Sequence, residues 1–170
     1  MSHTAIDLDL KVMTCDSINP QFISVHVIHT HHDGTMFLLL RRSSAFLRGT
    51  WQMVTGSVNN GEKAYEAAIR EVREETGLNV DRLYYADAVE TFYMKTMDKI
   101  QFVPAFVAFI DSVDAEVRLS LNEHDDYEWV AYDVALDRLV FSEQKRILTH
   151  IRNNFILNDP NPIHLINTIH

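Results

Sequence analysis

Apolar and polar positions along this chain follow two periods, and the change from one to the other marks its elements. Residues 22–29 (FISVHVIH) are rich in β-branched side chains, and residues 36–40 (MFLLL) form a continuous apolar run. Both read as strands, the second buried on both faces. Between them, His31-His32-Asp33-Gly34 predicts a turn, because Asp-Gly suits the tight turns that join antiparallel strands. Residues 51–54 predict a short strand, and residues 56–61 (GSVNNG) are rich in turn formers. Residues 82–94 and 100–110 predict two longer strands joined by residues 95–99. Pro104 puts part of the second at an edge or a bulge. Residues 117–121 and 128–132 are shorter strand candidates. The helical period appears twice. Residues 62–76 carry Tyr65, Ala68, Ile69 and Val72 at i, i+3, i+4 and i+7, with Gly77 as C-cap. Residues 142–155 turn Ile147, Leu148, Ile151 and Phe155 inward, with Ser142 as N-cap.

Strands before, between and after two helices predict an α+β fold with a mixed sheet covered on both faces. The domain is expected over residues 21–157, after a polar lead-in over 1–20. A tail over 158–170 follows, kept extended by Pro160 and Pro162. Ile163, Leu165, Ile166 and Ile169 make that tail more apolar than a free end. It suits packing on its own domain or on a partner subunit in a homodimer. The chain has 170 residues, 46% of them apolar, enough for one core. Its 15 Lys and Arg face 24 Asp and Glu, a net charge of −9, which argues against metal-free binding to DNA or an anionic membrane. No apolar run approaches the roughly 18 residues of a membrane span, and the N-terminus lacks a secretory pattern. A cytoplasmic protein is expected. Cys15 is the single cysteine, which excludes an intrachain disulfide.

The first helix carries the candidate chemistry. Glu71, Glu74 and Glu75 stand at i, i+3 and i+4, where like charges oppose one another by roughly 0.2–0.5 kcal/mol per pair. They also lie near a helix C-terminus, where the macrodipole disfavours them. A hard divalent cation such as Mg²⁺ would remove the conflict; Arg70 and Arg73 could instead neutralise the acids as surface pairs. His26, His29, His31 and His32 lack a metal-ligand spacing with carboxylate or cysteine and read as strand and surface residues. Phe92 and Tyr93 are able to stack on a heterocycle, although aromatic strand residues more often pack.

From Gly56 the chain reads GSVNNGEKAYEAAIREVREETGL: Gly56, five residues, Glu62, seven residues, Arg70-Glu71-Val72, one residue, Glu74-Glu75, one residue, Gly77-Leu78. This pattern resembles the signature of the Nudix (MutT-like) hydrolases. The flanking LLLRR, WQMVTGS and EHDDYEW extend the likeness over about residues 22–155.

The resemblance implies an α/β/α sandwich in which a loop–helix–loop carries the signature. It implies hydrolysis of a nucleoside diphosphate linked to another group. Glu71, Glu74 and Glu75 would be carboxylate ligands of Mg²⁺, with Mn²⁺ as a substitute, and the Thr55 carbonyl would add a backbone oxygen. Arg70 and Glu62 would hold the loop and orient the carboxylates, and Gly56 and Gly77 would supply backbone freedom. Glu123, in Asn122-Glu123-His124-Asp125-Asp126, is a candidate metal ligand or general base, or a capping acid in a polar turn. Arg41 and Arg42 stand where some relatives contact phosphate, and Trp51 and Gln52 where a strand end borders the base pocket. WQMVTGSVNNGE with the later EH-x-x-Y-x-W looks most like the dihydroneopterin triphosphate diphosphatase and dATP pyrophosphohydrolase branch. Residues 54–57 lack the proline and paired glycines usual in diadenosine polyphosphate hydrolases. The expected substrate is a (deoxy)nucleoside or pterin triphosphate, cleaved to monophosphate and pyrophosphate. A nucleotide-sugar, dinucleoside polyphosphate or capped-RNA hydrolase, and a non-catalytic nucleotide-binding regulator, are the alternatives.

Overall fold

The computed structural model describes residues 18–31, 34–45, 47–112, 116–120 and 122–166. Cys15, most of the lead-in, His32 and Asp33 of the expected turn, and Ile169 lie outside the described residues. Seven strands form one sheet: β1 (Phe22–His31), β2 (Gly34–Arg42), β3 (Trp51–Gln52), β4 (Val54–Ser57), β5 (Arg82–Met94), β6 (Lys99–Ile110) and β7 (His124–Val130). The helices are α1 (Ala64–Thr76), α2 (Tyr132–Arg138) and α3 (Ser142–Ile151).

β1 runs parallel to β6 (Ser24 opposite Ala105) and antiparallel to β2 (Ile28 opposite Phe37), so the sheet is mixed. β1 and β2 pair only over residues 28–31 and 34–37 and then part. The chain from Trp51 to Ser57 enters the gap: β3 pairs with β2 at Leu40 and Arg41, and β4 with β1 at residues 22–25. β7 takes the other side of β2, with Phe37 opposite Val130 and Arg42 opposite His124. This fork sets Thr55 and Gly56 of β4 beside α1 and leads the start of β7 toward the same helix.

Side chains alternate across the sheet, and the run 36–40 shows it plainly. Leu38 and Leu40 enter a core with Ala67, Ala68 and Val72 of α1, while Phe37 and Leu39 enter a second core with Ile147, Leu148 and Ile151 of α3. The result is the α/β/α layering expected of an α+β chain with this pattern. Gly77 closes α1 in the left-handed conformation (φ 72°), its N–H donating to the Arg73 carbonyl at 2.9 Å. Glu66 covers the other end by accepting from the Lys63 N–H at 2.9 Å. Among the described residues no helix is long and apolar enough to cross a membrane.

Pro104 stands, as expected, at an edge and a bulge: β1 pairing starts only at Ala105, so residues 99–104 of β6 pair with β5 alone, and β5 bulges opposite, residues 86–88 standing against Ala105 alone. Four expectations need correction. Residues 117–120 are not a strand. Their backbone instead satisfies the last carbonyls of α1, with Arg118 N–H donating to Thr76 at 2.7 Å and Ser120 N–H to Glu75 at 3.0 Å. The strand expected over 128–132 starts at His124, and Tyr132 already opens α2, whose Tyr132, Ala135 and Leu136, with Leu139 just beyond, face the second core. Phe141, not Ser142, is the N-cap of α3. The tail is not wholly extended: residues 162–164 form a 3₁₀ turn, and Ile166 N–H donates to the Leu83 carbonyl at 2.8 Å. Through Ile166 the tail therefore packs on its own β5.

Glu90 of β5 is 7% exposed and lies near Glu143. Burial, reinforced by that neighbour, pushes its carboxyl up to about 7. The folded chain thus binds an extra proton between about pH 4.5 and 7, and stability falls as pH rises through that window. Glu90→Gln is expected to raise stability by about 1–3 kcal/mol at pH 8 and to change little at pH 4, measured by urea unfolding at both.

Candidate active site

The three acids of α1 do not share one environment. Glu75 is 3% exposed, the Glu71 side chain 14%, and the Glu74 side chain 59%. The apolar stripe of α1 fixes this outcome. With Ala68 and Val72 pressed on the sheet, position 71 meets Gly56 of β4, position 75 meets His124 of β7, and position 74 faces outward.

Arg70 ties the signature loop to the helix. Its Nε and Nη2 donate to the two Glu62 oxygens at 2.8 and 3.0 Å, and its Nη2 also to the Ser57 carbonyl at 2.8 Å. Its Nη1 donates to Glu71 at 2.8 Å and to Glu74 at 2.9 Å. The hydrogen bonds to Glu62, then those to Glu71 and Glu74, hold the guanidinium charge more firmly than usual, and Arg70 in turn holds the Glu62 carboxyl below its ordinary range. Glu62 also accepts from the Asn59 N–H at 2.9 Å, so the turn before α1 is closed at both ends. The Glu71 side chain lies where a side chain at position 56 would start: a Cβ on Gly56 would fall 2.0 Å from Glu71 Cδ. Glycine is required there by close approach.

Glu75 meets a residue that sequence reasoning missed. Its Oε2 lies 3.0 Å from Nε2 of His124, which is fully buried. Glu75 Oε1 is buried without a hydrogen-bond partner, as is His124 Nδ1. Ligand atoms of Glu75, Glu123 and His124 lie within 4.8 Å of one another. Burial pushes the Glu75 carboxyl above its usual range; the His124 hydrogen bond pulls it down, and Glu123 and Glu71 add repulsion. His124 carried no signal of its own, because the strand it opens was expected to begin only at residue 128. The register Arg42–His124 and the bond from Ser43 N–H to the Glu123 carbonyl at 2.9 Å deliver both residues to α1.

The other sequence candidates have partners of their own. Thr55 pairs with Ser24 on β1, and its hydroxyl accepts from buried Gln52 at 3.2 Å, so Gln52 braces the strand end. Arg41 donates to Asp125 at 2.7 Å and stands 3.5 Å from Asp126; this pairing holds Asp125 below its ordinary range. Arg42 donates to Ser44 Oγ at 2.9 Å. Trp51 packs against the guanidinium groups of Arg138 and Arg41, at 4.8 and 5.9 Å from its ring centre. Phe92 and Tyr93 are partly exposed on β5, with Tyr93 donating to Asp98 at 2.8 Å. His26 and His29 are buried strand residues rather than surface ones. Burial pushes His26 down to about 3, so it stays neutral. Among the described residues, the cluster able to hold an ion is Glu75, Glu123 and His124.

The Glu75 and Glu123 carboxylates beside His124, with one buried Glu75 oxygen lacking any hydrogen-bond partner, form a group of donors able to hold a divalent cation. The NUDIX-domain profile matches residues 20–151. The chain belongs to the Nudix family and is a pyrophosphohydrolase acting on phosphorus-containing anhydrides, a class that generally uses a divalent cation. Over 114 residues it is 34% identical to the asymmetrical bis(5'-nucleosyl)-tetraphosphatase of Rattus norvegicus, which is 66% of this chain and 75% of that protein. Over 124 residues it is 28% identical to the dihydroneopterin triphosphate diphosphatase of Escherichia coli, 68% of this chain and 81% of that one. It shares 37% identity over 121 residues with an octanoyltransferase of Myxococcus xanthus, 70% of this chain, but spans only 33% of that protein's length. A solved structure of the Ap4A hydrolase of Caenorhabditis elegans in a binary complex matches with a TM-score of 0.66 at 26% identity, covering 78% of this chain and 94% of that one.

The Gly56–Glu71 contact yields a prediction. In Gly56→Ala the new Cβ meets a side chain able to swing away, so the fold persists and the carboxylate moves. Turnover should fall at least about tenfold while the melting temperature changes little. Wild-type turnover in that variant would show that the seat of Glu71 is without consequence.

Proposed function

We propose that this chain hydrolyses a phosphoanhydride bond of a nucleoside or pterin triphosphate, releasing monophosphate and pyrophosphate, with Mg²⁺ held at its acidic cluster and Mn²⁺ as a substitute. The observation that carries the reading is Glu75: a carboxylate removed from water, one oxygen bound to His124 and the other left without a hydrogen-bond partner, with Glu71 and Glu123 beside it. Such a group is costly unless something else occupies the remaining lone pairs.

In this reading Glu71, Glu75, Glu123 and the Thr55 carbonyl hold the cation, and Glu74 lies at the rim of the seat. When bound, the cation offsets the charge of the phosphates and lowers the pKa of a bound water. The protein supplies the rest. Arg70 fixes Glu71 and the signature loop as one unit, so the carboxylates do not have to reorganise as the reaction proceeds. Glu123 is the exposed member of the cluster, with solvent access from which to take the proton of the attacking water. Arg41, held by Asp125, and Arg42 at the end of β2 are assigned to the phosphate chain, and Trp51 and Gln52 border the same strand end.

A second substrate class, the dinucleoside polyphosphates, is favoured by the 34% identity with the rat tetraphosphatase. The same cluster serves both, because the bond attacked is the same. A panel of nucleoside triphosphates, a pterin triphosphate, a dinucleoside tetraphosphate and a nucleotide sugar, assayed for released phosphate and pyrophosphate, separates them. Pyrophosphate release from a triphosphate is the expected result, and inertness to all triphosphates would sink the first reading.

Substitution within α1 tests the cluster itself. Glu75→Gln should lower kcat by at least about a hundredfold without loss of stability. Glu74→Gln, altering an exposed carboxylate, should cost less than about tenfold. Equal losses in the two variants would contradict the assignment.

A further inference from the structure

Among the described residues, His124 is a fully buried ionisable group that the proposed chemistry does not yet use. It opens β7, has no exposed surface, and touches Glu75 through Nε2 at 3.0 Å. Its other nitrogen, Nδ1, is buried with no hydrogen-bond partner. A position chosen only for packing would hold an apolar residue, since an unsatisfied ring nitrogen in a core is unfavourable. The bond to Glu75 is thus what the imidazole provides.

The chemistry of the contact fixes its direction. A carboxylate oxygen accepts, so Nε2 carries the hydrogen of this bond. The Glu75 carboxylate is then restrained from two elements: by its own helix and by the first residue of β7. Its backbone carbonyl is also held, accepting from Ser120 N–H at 3.0 Å. With Oε2 occupied by His124, Oε1 is the oxygen left buried and without a hydrogen-bond partner, on the carboxylate that neighbours Glu71 and Glu123.

We propose that His124 is a positioning residue: its Nε2–H fixes the plane of the Glu75 carboxylate so that Oε1 is presented to the divalent cation. This rests on the cation seat assigned above. Histidine–carboxylate pairs of this kind orient metal ligands, and losing the outer partner typically costs 10–100-fold in metal affinity or activity. The pair couples β7 to α1, so the cation seat depends on the β2–β7 register as well as on the signature helix.

The full chain without metal gives the first test. Nitrogen-15 NMR of the His124 ring should report a hydrogen on Nε2; a bare Nε2 would overturn the proposal, and no variant has to fold for this result. The second test compares wild type with His124→Leu and His124→Gln, using Mn²⁺ as the probe. His124→Leu should melt below the wild type, because the buried Glu75 carboxylate loses its donor, and the folded variant should bind Mn²⁺ at least about tenfold more weakly and lose kcat about 10–100-fold with little change in KM. His124→Gln, whose amide still donates, should recover most of both. Wild-type Mn²⁺ affinity in His124→Leu would overturn the positioning role. So would a directly coordinated nitrogen in the pulsed EPR spectrum of the wild-type Mn²⁺ complex, which would make His124 a ligand. Failure of the wild type to bind Mn²⁺ at all would overturn the cation seat itself, a result distinct from the other two.

Discussion

A carboxylate withdrawn from water in the last turn of a helix is the constraint around which this end of the molecule is arranged. Glu75 lies where the carbonyl end of α1 already disfavours negative charge, and it has almost no exposed surface. An isolated charge there would be strongly unfavourable, so neighbouring elements converge on it. The first residue of β7 donates to one oxygen, and the segment 116–120 takes up the backbone carbonyls of the helix end. What these contacts leave open is one carboxylate oxygen, with Glu71 and Glu123 close by. Three acids at one place repel one another unless a cation joins them, and the family to which the chain belongs generally uses one.

The signature loop serves the same end from the other side. Arg70 joins Glu62, Glu71, Glu74 and the Ser57 carbonyl through one guanidinium, which makes the loop and the helix face a single rigid body. Gly56 brings the strand end close enough for the Glu71 side chain to occupy the space of a missing Cβ. Both devices depend on the fork in the sheet, because the parting of β1 and β2 lets β3 and β4 run between them. Packing of α1 through Ala67, Ala68 and Val72 then sets which acids turn inward. Fold and site are thus linked through the rotational phase of one helix.

Much of this was legible in the sequence wherever a local pattern dictated the outcome. The run 36–40 declared a strand buried on both faces, and the 3.6 period declared α1 and α3 with the residues they bury. Gly77 declared the helix end. Other features depended on neighbours distant in the chain. The spacing of Glu71, Glu74 and Glu75 shows that they are close on the helix surface, not that Glu74 remains in solvent beside Arg70 while Glu75 is sealed beneath β7. His124 carried no signal of its own, since its role arises only when the β2–β7 register brings it to residue 75, 49 positions away in sequence. Pro104 argued for an edge or a bulge, and it stands where β6 pairs with β5 alone, beside the bulge in β5. α2 was hidden because β-prone residues at 128–132 overlap its first turn, although Tyr132, Ala135, Leu136 and Leu139 do carry the helical spacing.

The central claim is that Glu71, Glu75 and Glu123 form one seat for a divalent cation at the end of α1. Anomalous scattering at the manganese edge from crystals of the chain soaked in Mn²⁺ measures it directly. The account predicts a peak at coordinating distance from Glu75 Oε1, with oxygens of Glu71 or Glu123 completing the site. A peak confined to the exposed Glu74 face, or no peak near Glu75 at saturating Mn²⁺, would contradict it.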